Sequence, residues 1–221
     1  APRDDTVFAP LERAIRERHG AEASGFELLD RNGDGLQWRL ALIDSARHTL
    51  DVQYYLWYGD LSGRLLADRL LRAADRGVKV RMLLDDLNTV LESGESVTLR
   101  DDVARWIDGH PNIELRLFNP WRHRSLLGRV HESVADSERV NHRMHNKVMI
   151  ADNQAMIIGG RNIGDEYLGL NEAFNFHDLD VIGVGPVARQ ASTVFDQYWN
   201  SDWVMPAVAL RRSAGPAGGE A

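Results

Sequence analysis

The chain contains no cysteine. That excludes disulfides and thiolate metal sites, yet it fits a reducing and an oxidising compartment equally well. No run approaches the roughly 18 apolar residues of a membrane-crossing helix, and residues 1–20 hold no signal-peptide core. Positive charge is not in excess: 26 Lys and Arg stand against 33 Asp and Glu, for a net charge of −7. Non-specific nucleic-acid binding draws on many basic contacts to phosphates, so nucleic acid is not an expected partner. Lysine itself is nearly missing, since all 26 basic residues are arginine except Lys79 and Lys147. Arginine could have served at either position unless a site needs a compact ammonium.

What is present suits one large α/β unit. With 43% apolar and 27% charged residues, 221 residues can bury a full core. Residues 1–10 read as an extended arm and Leu11–His19 as a short helix, together an amino-terminal segment over 1–24. Phe26–Leu29 is a strand. Asp30-Arg31-Asn32-Gly33-Asp34-Gly35 opens like a calcium loop but has Ala41 where the twelfth ligand should be Glu, so a plain turn is expected. A helix over Leu36–Ala46 leads to a strand over Leu50–Tyr58 whose aromatics are core or line a cleft.

Helix 62–76, closed by Gly77, and strand Val78–Leu84 then complete a right-handed parallel unit. Asp85 and Asp86 end that strand where open α/β sheets bind ligands, as loop caps or as site residues. A helix over 97–108 and a strand over Ile113–Phe118 follow. Residues 119–141 form a long connection that has three Arg and no acid between Trp121 and His131, with Trp121, Leu126 and Leu127 interleaved. It reads as a solvated lid or as a surface that meets phosphates at a bilayer.

The most informative stretch is 142–167. With a strand over Met144–Ala151, His145 and Lys147 share one face, while Asp152, of opposite parity, builds the turn Ala151-Asp152-Asn153-Gln154. Ala155–Ile158 returns as a hairpin strand. Gly159-Gly160 then lets backbone approach a ligand, and Asn162 lies on the same loop. Neutral imidazole can attack phosphorus, while ammonium and amide groups stabilise the equatorial oxygens. No metal or other cofactor is required. A cluster of His123, His131, His142 and His145 lacks an acidic ligand of matching spacing.

His145-x-Lys147-x4-Asp152-x6-Gly159-Gly160-x-Asn162 resembles the HKD motif of the phospholipase D superfamily, with Gly160 where that family more often has Ser. Leu50–Tyr58, Gly77–Asp86, Gly159–Tyr167 and His177–Pro186 further resemble bacterial cardiolipin synthases, and the likeness covers about residues 25–205. The resemblance implies a mixed, largely parallel central sheet with helices on both faces. It also implies transfer of a phosphatidyl group through a phosphohistidine. His145 would be the nucleophile or its acid/base partner, and Lys147, Asn162, Gly159 and Gly160 would hold phosphate. Asp152, the motif's third member, would be structural, and Asp178 would orient a histidine.

The family works with two such motifs, and no second one fits here, because Lys79 has Gly77 two places before it. The chain therefore reads as the amino-terminal half of a longer protein, or as one subunit of a homodimer, with 206–221 a linker or cut end. Phosphatidylglycerol or a similar phospholipid is the expected substrate, and a membrane surface the expected partner, met peripherally. Hydrolysis by water, a nuclease, and an inactive binding half are the competing readings.

Overall fold

A computed structural model describes residues 3–86, 109–122 and 126–209. The helix expected over 97–108 and the linker after Ser213 lie outside them. The described strands are β1 (Gly25–Leu29), β2 (Thr49–Tyr54), β3 (Lys79–Asp85), β4 (Ile113–Phe118), β5 (Val148–Ala151), β6 (Ala155–Gly159), β7 (Asp180–Val184) and β8 (Val204–Pro206). They form one sheet in the order β1-β7-β6-β5-β2-β3-β4-β8.

Helices α1 (Ala9–His19), α2 (Asn32–Ser45), α3 (Leu61–Asp75), α4 (Leu126–Ala135), α5 (Ser137–Asn141), α6 (Asp165–Leu168) and α7 (Pro186–Trp199) surround it. On the α2 and α3 side the core holds Leu42, Ile43, Val52, Leu66, Leu70, Met149 and Ile157. On the α7 side it holds Leu83, Phe118, Ile150, Met156, Phe195 and Trp199.

The parallel unit is as expected. Asp60 caps α3 by accepting the Gly63 amide at 3.0 Å, and Gly77 turns the chain at φ 96°. β3 then pairs in parallel with both β2 and β4. The parallel share is smaller than expected, because every other pairing between the described strands is antiparallel. Short turns such as the one joining β5 to β6 can connect only antiparallel neighbours. Asp152 and Asn153 make that turn at φ 54° and 56°, a conformation these two residue types tolerate.

Several expected boundaries move. The first helix begins at Ala9 and takes Pro10 into its opening turn, where a missing N–H costs nothing. It is tied down by Glu12, which pairs with Arg189 at 2.8 Å and accepts from Gln154 at 2.9 Å. The calcium-like hexapeptide is not the plain turn expected, since from Asn32 onward it is the first turn of α2. β2 stops at Tyr54. The chain beyond it pairs instead with residues 162–163, where Asn162 Oδ1 accepts the Leu56 amide at 3.1 Å and Ile163 carbonyl the Tyr58 amide at 2.9 Å. The 119–141 connection is largely helical. Its Trp121 is buried and donates its indole N–H to Asp86 carbonyl at 3.0 Å, so it cannot dip into a bilayer. In α7, Val194 is exposed, and Phe195 and Trp199 carry the packing.

The parity argument for Asp152 agrees with its contacts. Its buried carboxylate accepts the amides of Arg47 at 3.0 Å, His48 at 2.7 Å and Thr49 at 2.9 Å. Hydrogen bonds to a charged acceptor are each worth about 1.5–3 kcal/mol, and loss of the acceptor leaves donors unsatisfied. Asp152→Ala is therefore expected to lower unfolding stability by about 3 kcal/mol, read as a drop in the urea midpoint at constant slope. Asp152→Asn, which keeps one oxygen, should lose less.

Candidate active site

The carboxyl ends of β2 and β3, the amino ends of β5 and β7 and the end of β6 meet at one edge of the sheet. His145 and Lys147 arrive there just ahead of β5, which begins at Val148 rather than Met144. Both are therefore on loop backbone, freed from strict strand alternation.

Lys147 is only 4% exposed, and its ammonium donates to the carbonyl of His145 at 2.7 Å. It also lies 5.2 Å from the centre of the Tyr55 ring, a favourable seat for a cation. The His145 imidazole stands in the open mouth and packs on the same ring, centroids 4.9 Å apart. Burial is the larger reason that the Lys147 pKa falls, to about 8, against an upward pull from Asp178. His145 is pushed below its ordinary value, first by desolvation and then by the neighbouring Lys147 charge. At neutral pH the pair is thus a neutral imidazole beside a cation, the combination that nucleophilic attack on an anionic phosphodiester requires.

The loop that delivers His145 is held from below. Asp85 accepts the Met144 amide at 2.9 Å and pairs with Arg143 at 3.3 Å. Arg143 also donates to Asn119 carbonyl at 3.1 Å and lies 5.3 Å from the Trp121 ring centre. The Asn119 side chain bonds the carbonyls of Arg139 and His142, both at 2.7 Å. Of the two expectations for Asp85, these contacts are those of a loop cap. Tyr55 shows how the β2 aromatics divide: Tyr54 and Trp57 are buried, whereas half-buried Tyr55 faces the site. Its hydroxyl is pushed to a higher pKa by desolvation and by Asp85.

On the opposite bank, Asn162 uses its carbonyl to hold Leu56, and it eases ionisation of the Tyr167 hydroxyl, whose pKa desolvation raises. For Gly159 and Gly160 the geometry gives another reason for glycine than ligand approach. Their amides bond in-chain, to Lys147 carbonyl at 3.3 Å and Leu179 carbonyl at 2.9 Å. A Cβ on Gly159 would stand 2.1 Å from Asp180 Oδ1, and one on Gly160 2.0 Å from Asp178 Oδ1. Asp178 was expected to orient a histidine, but among the described residues no hydrogen bond joins it to His145. It faces Lys147.

Three functional neighbours escaped the sequence reading. Arg39, Arg161 and Asp180 are fully buried, with Asp180 Oδ2 at 2.8 Å from Arg39 and 3.2 Å from Arg161. Arg39 also bonds Tyr54 hydroxyl at 3.0 Å, and Arg161 bonds Leu29 and Asp30 carbonyls, both at 2.9 Å. Gly35 makes room, since its Cβ would lie 3.2 Å from Arg161 and 3.3 Å from Arg39. Asn32 accepts from Arg161 at 3.0 Å. The one local signal was the Asn32–Gly35 turn, whose real use is to admit these arginines.

A mixed sheet of this order, with helices on both faces and a His-x-Lys pair at its mouth, defines a phospholipase D-like α/β domain. The family described as "Cardiolipin synthase, PLD-like domain" matches residues 40–199, and the chain belongs to it. It is 47% identical over 180 residues to cardiolipin synthase C of Escherichia coli, covering 80% of this chain and 36% of that protein. To the major cardiolipin synthase ClsA of Bacillus subtilis it is 32% identical over 183 residues, covering 81% and 34%. The chain thus spans about a third of the length of these relatives. In fold it is similar to phosphatidylserine synthase of Haemophilus influenzae, with a TM-score of 0.64 and 17% identity over 82% of this chain and 38% of that one. It is also similar to Nuc of Salmonella typhimurium, a phospholipase D family member, with a TM-score of 0.53 and 17% identity over 83% and 98%.

If Asp85 holds the histidine loop, Asp85→Ala should speed amide hydrogen exchange at Met144 by at least about tenfold, as the loss of a charge-assisted bond of about 1.5 kcal/mol or more implies. The amides of β6 serve as the unaffected comparison. Equal protection at Met144 in both proteins would remove this role.

Proposed function

We propose that the domain supplies one half of a phosphatidyltransferase site of the cardiolipin synthase type. The observation that carries this reading is the pair of a neutral, exposed His145 and a buried cationic Lys147 within three residues, in a chain 47% identical to a cardiolipin synthase. His145 attacks the phosphorus of phosphatidylglycerol, the P–O bond to the glycerol headgroup breaks, and the leaving oxygen takes a proton from a general acid. A second lipid hydroxyl then attacks the phosphohistidine as the acid's conjugate base takes its proton. The P–N bond breaks, which returns free imidazole. Lys147 and Asn162 stabilise charge on the non-bridging oxygens.

The general acid is worth roughly 10²–10⁴ in rate. It comes from a second motif, carried by further chain or by a second subunit, and the covered third of the relatives' length leaves room for the former. The lipid substrate makes a membrane surface the working partner. Exposed Leu127, Val130 and Val134 on α4 suit peripheral contact with it, and among the described residues no helix is long and apolar enough to cross a membrane.

The test is a chimaera in which this chain replaces the matched region of the E. coli relative, incubated with phosphatidylglycerol vesicles. Cardiolipin and glycerol should appear, and His145→Gln should lower their formation at least about 10³-fold. Phosphatidic acid without cardiolipin would turn the reading to hydrolysis, and undiminished turnover by His145→Gln would end it.

The pH profile follows from the two shifts. Rate is full where His145 is neutral and Lys147 charged. It falls on the acid side below the usual histidine value, as imidazole protonates, and on the alkaline side near about 8, as the ammonium is lost. Lys147→Arg should move the alkaline limb upward while lowering the maximum.

A further inference from the structure

Register places Lys147 opposite Gly159 and Gly159 opposite Asp180, one row across β5, β6 and β7. The Gly160 amide bonds the Leu179 carbonyl, so the chain just ahead of β5 and the chain just ahead of β7 run on either side of Gly159-Gly160. Lys147 and Asp178 flank that pair, and the residue between Lys147 and β7 is a glycine. Asp180 is already committed to Arg39 and Arg161. Asp178 is not: among the described residues its Oδ1 accepts only the adjacent Leu179 amide, at 2.8 Å. Its carboxylate fills the space that a side chain at position 160 would need, with Oδ1, Cγ and Oδ2 at 2.0, 2.4 and 2.4 Å from an added Cβ.

We infer that Asp178 is a positioning residue that acts through Lys147, as its counter-charge, and that Gly160 is glycine because Asp178 is seated there. Serine at 160, the family's more frequent choice, and this seating of Asp178 exclude one another. The arrangement rests on the proposed function only for what Lys147 does, not for how it is held. A counter-charge at this place offsets part of the desolvation of the ammonium, and the upward pull of Asp178 on Lys147 agrees with it. The other groups facing Lys147 are His145, whose imidazole feels the ammonium charge, and Tyr55, with Tyr167 beyond, next to Asp178.

The scarcity of lysine makes the test direct. Protein labelled with carbon-13 at lysine Cε gives two signals, from Lys79 and Lys147, and Lys147→Arg assigns them. In the wild type the Lys147 signal should titrate near about 8. Asp178→Asn, nearly isosteric, should lower that midpoint by at least about 0.5 pH unit, since an opposite charge nearby favours the charged form. Gly160→Ala and Gly160→Ser, which evict the carboxylate, should lower it similarly, and combining either with Asp178→Asn should add nothing. In every variant circular dichroism and the thermal midpoint report that the fold is intact, and Asp178→Asn alone decides the question if the glycine variants do not fold. A Lys147 midpoint unmoved or raised in Asp178→Asn overturns the inference. A midpoint lowered by Asp178→Asn but unmoved by either folded Gly160 variant overturns the seat. None of these readings needs turnover, so a chimaera without activity would remove the proposed function and leave this arrangement standing.

Discussion

The buried ion group of Arg39, Asp180 and Arg161 is the constraint on which the site bank depends. Two guanidinium groups share one carboxylate with no exposed surface among them, so the desolvation cost is met only because nearly every donor has a partner. Arg39 brings α2, Asp180 brings β7, and Arg161 brings the loop that carries Gly160 and Asn162. Arg39 feels burial most, and that alone would weaken its charge, but Tyr54 and Asp180 outweigh it and hold the guanidinium firmly protonated. Removal of one member would leave uncompensated charge in the interior, a defect of about 3–5 kcal/mol. The site is therefore built on a buried electrostatic base, with His145 and Lys147 on loop backbone above it.

The two banks are held in different ways. The His145 bank is a loop hung from Asp85 and Asn119 by side chain to backbone bonds. The Asn162 bank is braced by buried ions and by its own pairing with residues 56–58. Lys147 joins them, since its carbonyl receives the Gly159 amide while its ammonium bonds His145 carbonyl.

Local signals made much of this legible. Two-sided burial of β2, the Gly77 stop and the Asp152 turn each have a nearby cause, so the parallel unit and the hairpin could be read from residues alone. The separation of Asp152 from His145 and Lys147 was legible too, although the alternation used for it assumed a strand from Met144 and β5 begins only at Val148. The ion group was hidden because its members lie at positions 39, 161 and 180, and nothing local marks an arginine as buried. Asp178 was legible as an acid near the mouth but not in its direction, which depends on the register between β6 and β7. Trp121 misled because an aromatic among arginines has the same composition whether it faces a lipid or its own core.

The three amides held by Asp152 also act as a ruler. Asp152 is fixed to residues 47–49 at one end of β5, and the four residues of that strand span the distance to the other end, where Lys147 emerges. Slippage by one position would present Asn146 in place of Lys147 and exchange the strand's two buried faces. The four residues between Lys147 and Asp152 are then a matter of measurement, since they set which residue reaches the mouth.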